Sequence, residues 1–479
     1  MATIAAILAL ALPWLCGCLA LRLAWRRSQA GAWWVCMGYG YVLGVAAAVA
    51  LLALQDILGL PLGAGWSLLL FCAVSLGLCQ RLWTRHRDLL RVGSAAILPK
   101  DLPRWSRVAF GCLAGWVLIR GVSLAIELLA QGLYAWDAWS TWIFRARVWV
   151  EAGKLTPFVA PEVWLSRPTE DLMALPAAHY PKFVSLVAAW PVLALGRWSE
   201  TVALLPWLLL YPAMAAGLYG QCRIWGASPV VALVTTWLFL SLPLVGGQIA
   251  LAGYADIWLA TFIGFAFMSF LRWARDGDVI QGVLALALGI GAAFIKAEGL
   301  VWGFIFVLAA LTVVVRARTW WMIAAGLGLA AFALAFSGGV SFELPAIGQV
   351  DLALNRVYSE RTGAFEFALQ NGVLRPLLIH LFVFDTWHLL MATVVGGLVW
   401  SVHSLMVRPT TVERWARTAL VWVLVSAAAF SVLFFWTSAS EWVRLGTSGN
   451  RIILHFSMAF VFWLQCLWTS RSHLSPNGA

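Results

Sequence analysis

The sequence lacks the charge of a water-soluble protein. Of its 479 residues only 11% are charged, whereas 62% are hydrophobic. A soluble domain carries about 25% charged and roughly 45–50% apolar residues. This shortage of charge excludes a disordered chain, a secreted disulfide scaffold and a soluble enzyme. A polytopic membrane protein remains, because each membrane-spanning helix needs about 20 apolar residues.

Several catalytic and binding motifs are also missing. The sequence has no P-loop, no H-E-x-x-H and no G-x-S-x-G, so ATP-driven pumping and serine hydrolysis are unsupported. The eight cysteines show no zinc-site spacing, and most lie in apolar runs. The net charge of +11 does not indicate a nucleic-acid partner. Its basic residues lie in short loops, where they orient membrane helices.

What the sequence does contain is a series of long apolar runs. They predict an all-α, polytopic membrane protein of about 13 transmembrane helices, within a range of roughly 12–14. The predicted spans are 4–22, 33–54, 64–80, 108–130, 200–219, 229–247, 254–272, 279–295, 298–315, 319–337, 386–407, 416–437 and 452–470. The run 183–196 is short for a span, so we expect an interfacial or re-entrant helix there.

Charge in the loops sets the expected orientation. The loop 81–107 is rich in arginine and lysine, which places it in the cytoplasm. Two long loops, 131–199 and 338–385, then lie on the outer face, and loops of this length are usually functional or disordered. The expected segments are 1–107 with the first spans and the basic loop, 108–337 as the transmembrane core with the loop 131–199, the loop 338–385, and 386–479 with the C-terminal spans.

The first long loop opens with YAWDAWSTWIFRARVWVEAGKL, residues 134–155. Its tryptophans recur at helical spacing, and Arg145 and Arg147 follow, as in a helix that lies in the lipid headgroup layer. Asp137 stands at the start of this helix. A carboxylate at the membrane boundary could take a proton from a hydroxyl group. Capping of the helix is the alternative interpretation.

The same loop contains AAHYPKF, residues 177–183. His179, Tyr180 and Lys182 flank a proline just before the short apolar run. Lys182 is well placed to meet a phosphate as a point charge. Contact of its ammonium with lipid headgroups is the alternative.

Three further motifs stand at the outer ends of predicted spans. Asp256 begins a span in LAGYADIWLA, where an acid is costly unless it is paired or hydrated. Lys296 and Glu298 form the turn of AAFIKAEGL, and a loop ion pair is the alternative there. Arg451 and His455 share a helix face in GNRIILHF and could bind an anion. A structural pair is the other interpretation.

Taken in order, these motifs resemble the GT-C class of integral-membrane glycosyltransferases. The likeness is greatest to the branch that contains the protein O-mannosyltransferases and the lipid A aminoarabinose transferases. It covers roughly residues 108–320 and extends to GNRIILH in the last span. The chain differs from that branch in two ways. Four predicted spans precede Asp137, and Ala138 follows it, so the Asp-Glu pair of the protein O-mannosyltransferases is absent. We therefore expect a lipid or glycan acceptor rather than a protein.

The resemblance implies roles for the candidate residues. The catalytic residue would be Asp137. The residues that bind the donor phosphate would be Lys182, Arg451, Arg145 and Arg147. The residues that bind the acceptor or a metal would be Asp256, His179 and Tyr180. Secondary candidates are Lys296, Glu298 and His455.

The resemblance also implies the substrates and the place of action. The donor would be a sugar linked to polyprenyl phosphate, and the acceptor hydroxyl would be attacked with inversion on the periplasmic face of a bacterial inner membrane. No cofactor is certain, and a divalent metal ion and the oligomeric state stay open. Two alternatives remain: a multi-span transporter or lipid flippase, and an enzyme similar to O-antigen ligases or polymerases.

Overall fold

The computed structural model describes residues 1–27, 29–91, 103–167, 169, 172–315, 317–344, 348–353, 355–359, 363–407 and 412–472. The middle of the predicted basic loop, 92–102, lies outside these residues. The described chain is mostly helical, which confirms the helical architecture of a multi-pass membrane protein.

Twenty α-helices and one π-helical turn, Ala138–Trp142, form most of the described chain. The helices are α1 (Ala2–Ala24), α2 (Ala32–Ile57), α3 (Gly65–Arg85), α4 (Arg87–Arg91), α5 (Arg104–Gln131), α6 (Ile143–Ala152), α7 (Pro161–Ser166), α8 (Phe183–Leu195), α9 (Glu200–Trp225), α10 (Pro229–Leu240), α11 (Pro243–Ala250), α12 (Asp256–Asp276), α13 (Val279–Ala292), α14 (Glu298–Val314), α15 (Ala317–Ser337), α16 (Leu374–Phe382), α17 (Leu390–Val407), α18 (Arg414–Trp436), α19 (Ser440–Arg444) and α20 (Gly449–Ser472).

Among the described residues, nine helices are long and apolar enough to cross a membrane. They are α1, α2, α3, α5, α9, α12, α17, α18 and α20. The helices α10 and α11 pass the same test together but are bent by 65°, so the total is ten if the pair is one span. The break falls where Pro243 begins α11, because proline disfavours a helical conformation in the residue before it. The count of about 13 spans stays a prediction.

The short apolar run of the first long loop forms α8. This helix has 13 residues, too few to cross a bilayer, as expected. Nearly all of its residues are buried, and it packs against α1, α2, α6 and α9. An interfacial helix would leave one face to water and headgroups. The burial of α8 on all sides therefore favours the re-entrant alternative over a helix that lies at the membrane surface.

The all-α prediction missed a small sheet in the second long loop. Four antiparallel strands form a meander in the order β3-β4-β5-β6, and two shorter strands, β1 and β2, pair in parallel in the first loop. The strands are β1 (Phe158–Val159), β2 (Met173–Ala174), β3 (Val340–Leu344), β4 (Gly348–Ala353), β5 (Arg356–Ser359) and β6 (Gly363–Glu366). Runs this short carry too little alternation to predict a strand.

The chain packs as two compact units. Residues 1–303 and 454–479 form the first unit, and residues 304–453 form the second. The boundaries of these units differ from the segment boundaries expected after residues 107, 337 and 385. The expected segments remain an interpretation of the sequence. In the first unit α12 is the innermost span, with 94% of its apolar window buried. Its first residue, Asp256, is fully buried, whereas its last two residues, Arg275 and Asp276, are exposed.

Candidate functional site

The candidate site of the first unit is built around the start of α12. Asp256 is the first residue of this helix, and it is fully buried. The preceding turn contains Gly253 with φ of 108°, a conformation that residues with a side chain rarely adopt. The Trp207 indole N–H donates to the carbonyl oxygen of Tyr254 at 2.8 Å and fixes the same turn. The positive end of the helix dipole favours the Asp256 carboxylate.

Two carboxylates share one ammonium at this point. The Lys296 Nζ lies 3.0 Å from Asp256 Oδ1 and 2.9 Å from Glu298 Oε1. The side chains are nearly shielded from solvent, with 8% of Lys296 and 17% of Glu298 exposed. Glu298 begins α14, so both acids stand at helix N-termini. Burial of these charges is tolerated because each carboxylate contacts the same cation.

A histidine from α20 completes the cluster. His455 is fully buried, and its Nε2 lies 3.1 Å from Asp256 Oδ1. The Trp302 Nε1 donates to His455 Nδ1 at 3.1 Å. An indole nitrogen can only donate, so Nδ1 must be the acceptor. Its partners thus assign the imidazole proton to Nε2, which donates to Asp256.

The cluster holds two carboxylates against one ammonium, with a neutral imidazole. Glu298 Oε2 is buried and has no hydrogen-bond partner among the described residues. A buried acceptor without a donor is costly. The arrangement therefore suits a ligand that brings a hydrogen-bond donor, such as a hydroxyl group, to Glu298.

The first long loop lies directly on the turn before Asp256. A Cβ atom on Gly253 would collide with the Cβ of Ala138 and would lie 3.3 Å from Ile143. Ala138 begins the π-helical turn, a feature frequent at functional sites. Asp137 is the residue immediately before this turn and is half-buried. The residue that follows Asp137 therefore packs against the turn that precedes Asp256.

Tyr180 is a half-buried residue of the same loop. Burial raises the pKa of its hydroxyl, and the positive charge of Lys296 lowers that pKa. The negative charges of Glu298, Asp256 and Asp137 raise the same pKa. Tyr180 therefore lies within electrostatic reach of all four charged residues.

Arg145 holds the segment that carries Tyr180. Its Nη1 donates to the carbonyl oxygens of Tyr180 at 2.9 Å and Pro181 at 3.2 Å, and its Nη2 donates to that of Ala177 at 3.0 Å. Burial lowers the pKa of the guanidinium to about 10, so it is charged at neutral pH. The sequence predicted contact with a donor phosphate. In the structure, Nη1 and Nη2 bind loop carbonyls and Nε has no partner among the described residues, so phosphate binding by Arg145 stays a prediction.

The other candidates lie outside the cluster. Lys182 is exposed at the start of α8, and the exposed His179 ring lies 4.6 Å from that of Tyr180. Arg147 is exposed and pairs with Glu151 at 2.8 Å, one turn along α6. Arg451, in the first turn of α20, belongs to the second unit. The predicted residues that do come together are Asp256, Lys296, Glu298 and His455.

Two residues of the site were not singled out from the sequence. Trp302 stands four residues after Glu298 and hence one helical turn along α14. Gly253 precedes Asp256 in the GYAD stretch. Spacing could have suggested Trp302, whereas the need for a glycine arises only from the approach of Ala138.

No three or more His, Cys, Asp or Glu side chains in the described part of the chain are grouped so as to hold a metal ion. In comparisons with protein-family models, with curated proteins and with solved structures, no match to the chain is found.

Proposed function

We propose that this protein is a GT-C-like membrane glycosyltransferase. It would move a sugar from polyprenyl phosphate to a hydroxyl group of a lipid or glycan acceptor. The observation that carries the proposal is the assembly of Asp256, Lys296, Glu298 and His455, from three separate stretches of sequence, beneath the loop of Asp137. Within this cluster Glu298 Oε2 is buried without a donor among the described residues, and a hydroxyl group of the acceptor would supply one.

Asp137 acts as the base in this mechanism. One hydroxyl group of the acceptor donates to Glu298 Oε2, and Asp137 removes the proton of a second hydroxyl group as its oxygen attacks the anomeric carbon. A bond forms between the acceptor oxygen and that carbon. The bond from the carbon to the phosphate oxygen breaks, and its electron pair leaves with polyprenyl phosphate. A single displacement of this kind inverts the anomeric carbon.

Cations near the loop would stabilise the negative charge of the departing polyprenyl phosphate. Lys182 is exposed and presents an ammonium at the start of α8, which suits contact with a lipid-linked phosphate. Arg451 stays a candidate for the same role. Arg145 contributes indirectly, because it fixes the backbone of residues 177–181 and with it Tyr180.

The proposal includes the membrane setting. The loop of Asp137 faces the periplasm of a bacterial inner membrane, and about 13 spans adopt a GT-C-like arrangement. No nucleotide enters the reaction, because the sugar arrives on polyprenyl phosphate. The need for a divalent metal ion is decided by transfer assays with and without a chelator.

The decisive experiment measures transfer of a radiolabelled sugar from polyprenyl-phosphate donors by purified protein. The acceptor is a crude extract of lipids and glycans. We expect activity in the wild type, none in Asp137→Asn, and unchanged activity in Glu162→Gln. Glu162 is the matched control, an exposed acid of the same loop in α7. Full activity of Asp137→Asn would remove Asp137 from the mechanism.

A transporter or lipid flippase is the second candidate. The 65° break between α10 and α11 favours it, because interrupted helices form the binding sites of many transporters. Uptake of a solute or lipid by proteoliposomes that contain no lipid-linked sugar would support this function. The ligase-like alternative is distinguished from the proposed function by its donor. Pyrophosphate-linked oligosaccharides are therefore included among the donors tested, because only a ligase-like enzyme would use them.

A further inference from the structure

A second polar cluster joins four helices of the first unit. It consists of Tyr39 on α2, Gln221 on α9, Ser269 on α12 and Gln281 on α13. At most 1% of each of these residues is exposed. Ser269 lies 13 positions after Asp256 in the sequence, which is about 20 Å along the helix. This cluster is therefore separate from the charged site at the start of α12.

Most of its polar atoms are paired. Gln221 Nε2 donates to Tyr39 Oη and to Gln281 Oε1, both at 2.9 Å. Ser269 Oγ donates to Tyr39 Oη at 3.1 Å, and Tyr39 Oη donates to the carbonyl oxygen of Phe265 at 2.8 Å. Two atoms remain. Gln221 Oε1 and Gln281 Nε2 are buried and have no hydrogen-bond partner among the described residues.

Rotation of the amides does not remove this shortage. If Gln281 alone is turned, its NH₂ group faces the NH₂ group of Gln221. If both are turned, the bond between the two amides is restored in the opposite direction. One carbonyl oxygen and one NH₂ group are then again without a partner. In every arrangement that keeps the amides bonded, one donor and one acceptor are unmet.

We propose that this cluster is a binding site for one buried water molecule. The water accepts from Gln281 Nε2 and donates to Gln221 Oε1. A metal cation does not fit, because an NH₂ group points a positive dipole at it and cations need several oxygen ligands. An anion does not fit either, because the Gln221 oxygen would repel it. Water supplies one donor and one acceptor at once, as buried waters in proteins typically do.

The test is an experimental structure of the full chain in a lipid nanodisc, at a resolution that shows ordered waters. We expect a density peak within hydrogen-bond distance of both Gln221 Oε1 and Gln281 Nε2. Absence of the peak would overturn the proposal. So would a rearrangement in which every polar atom of the cluster pairs within the protein.

A variant tests the assignment of the donor. In Gln281→Met, which keeps the length of the side chain but not its amide, the peak should be lost. Gln248→Met serves as the control, because Gln248 is also buried but lies on α11, outside the cluster. The control variant should keep the peak. Retention of the peak in Gln281→Met would show that the density does not depend on this amide and would also overturn the proposal.

Discussion

The two ends of α12 both carry buried charge, but they use it differently. At the first end, Asp256 contacts Lys296 and His455, which come from other parts of the chain. At the last turn, Arg272 and Arg275 donate to the carbonyl oxygens of Ile224 and Trp225 at the end of α9. The same arginines also contact Asp276.

The last turn is followed by a helix cap. Asp278 Oδ1 accepts from the backbone N–H groups of Ile280 and Gln281, and its Oδ2 accepts from the Trp25 indole at 3.0 Å. Helix ends leave carbonyl and N–H groups that need partners in any case. A charged side chain bound to such backbone groups therefore stabilises the fold. At the first end the charged side chains come from distant parts of the chain, and Glu298 Oε2 has no partner among the described residues, which is why this end is the candidate site.

The strongest test of this comparison removes one cation at each end. We expect Lys296→Met to lower the free energy of unfolding by about 3–5 kcal/mol, because two buried carboxylates lose their shared cation. Arg275→Met should cost about 1–2 kcal/mol, since it loses one hydrogen bond, a partly exposed ion pair with Asp276 and a stacking contact on Trp225. Thermal unfolding in detergent measures both.

The double variant Lys296→Met with Glu298→Gln provides the control for the charge argument. It should regain part of the lost stability, because one of the two carboxylates is neutralised. Equal losses in Lys296→Met and Arg275→Met would contradict the distinction between the two ends.

A smaller effect is expected when an indole donor is removed at each end. Trp302→Phe leaves His455 Nδ1 without its donor, which costs about 1–3 kcal/mol. Trp25→Phe removes the bond to Asp278 and should cost a similar amount. The rate of sugar transfer distinguishes the two variants. We expect this rate to fall in Trp302→Phe and to persist in Trp25→Phe. Loss of transfer in both variants would mean that the two ends are coupled.

Two glycines with positive φ give a further comparison, in which the smaller loss is expected at Gly277. Gly253→Ala must shift Ala138 away from the turn before Asp256, in addition to a backbone cost of about 1–2 kcal/mol. Gly277→Ala has the backbone cost alone, because no atom lies within 4 Å of the added Cβ. Transfer should therefore drop only in Gly253→Ala. Unfolding curves and transfer rates of the two variants, compared side by side, decide whether the position of Ala138 matters.

The sequence predicted the polar residues of the site better than their roles. Asp256, Lys296, Glu298 and His455 were found because charge at the end of an apolar run is rare and costly. Arg145 was expected to bind phosphate, but it binds three carbonyl oxygens of its own loop. A sequence shows that a guanidinium is present. Which acceptors face it depends on how the loop closes.

The same limit applies to the fold. The helical class and most long helices follow from apolar runs, because length and hydropathy are local properties. The sheet of β3–β6 and the burial of α8 were missed, since pairing and packing depend on distant parts of the chain. The finer expectations on span count and orientation stay predictions.

By itself the sequence determined that this protein belongs in a membrane and that its acids stand near helix ends, because both properties are set by composition along the chain. Tertiary structure alone decided which of these residues share one buried cluster, namely Asp256, Lys296, Glu298 and His455. It also decided that Trp302 donates to His455 Nδ1 and so leaves the imidazole proton on Nε2. The packing of Ala138 against Gly253 was likewise decided only by the fold. The physical reason is distance: hydrogen bonds and ion pairs act over a few ångströms, and only folding brings residues so far apart in the chain that close.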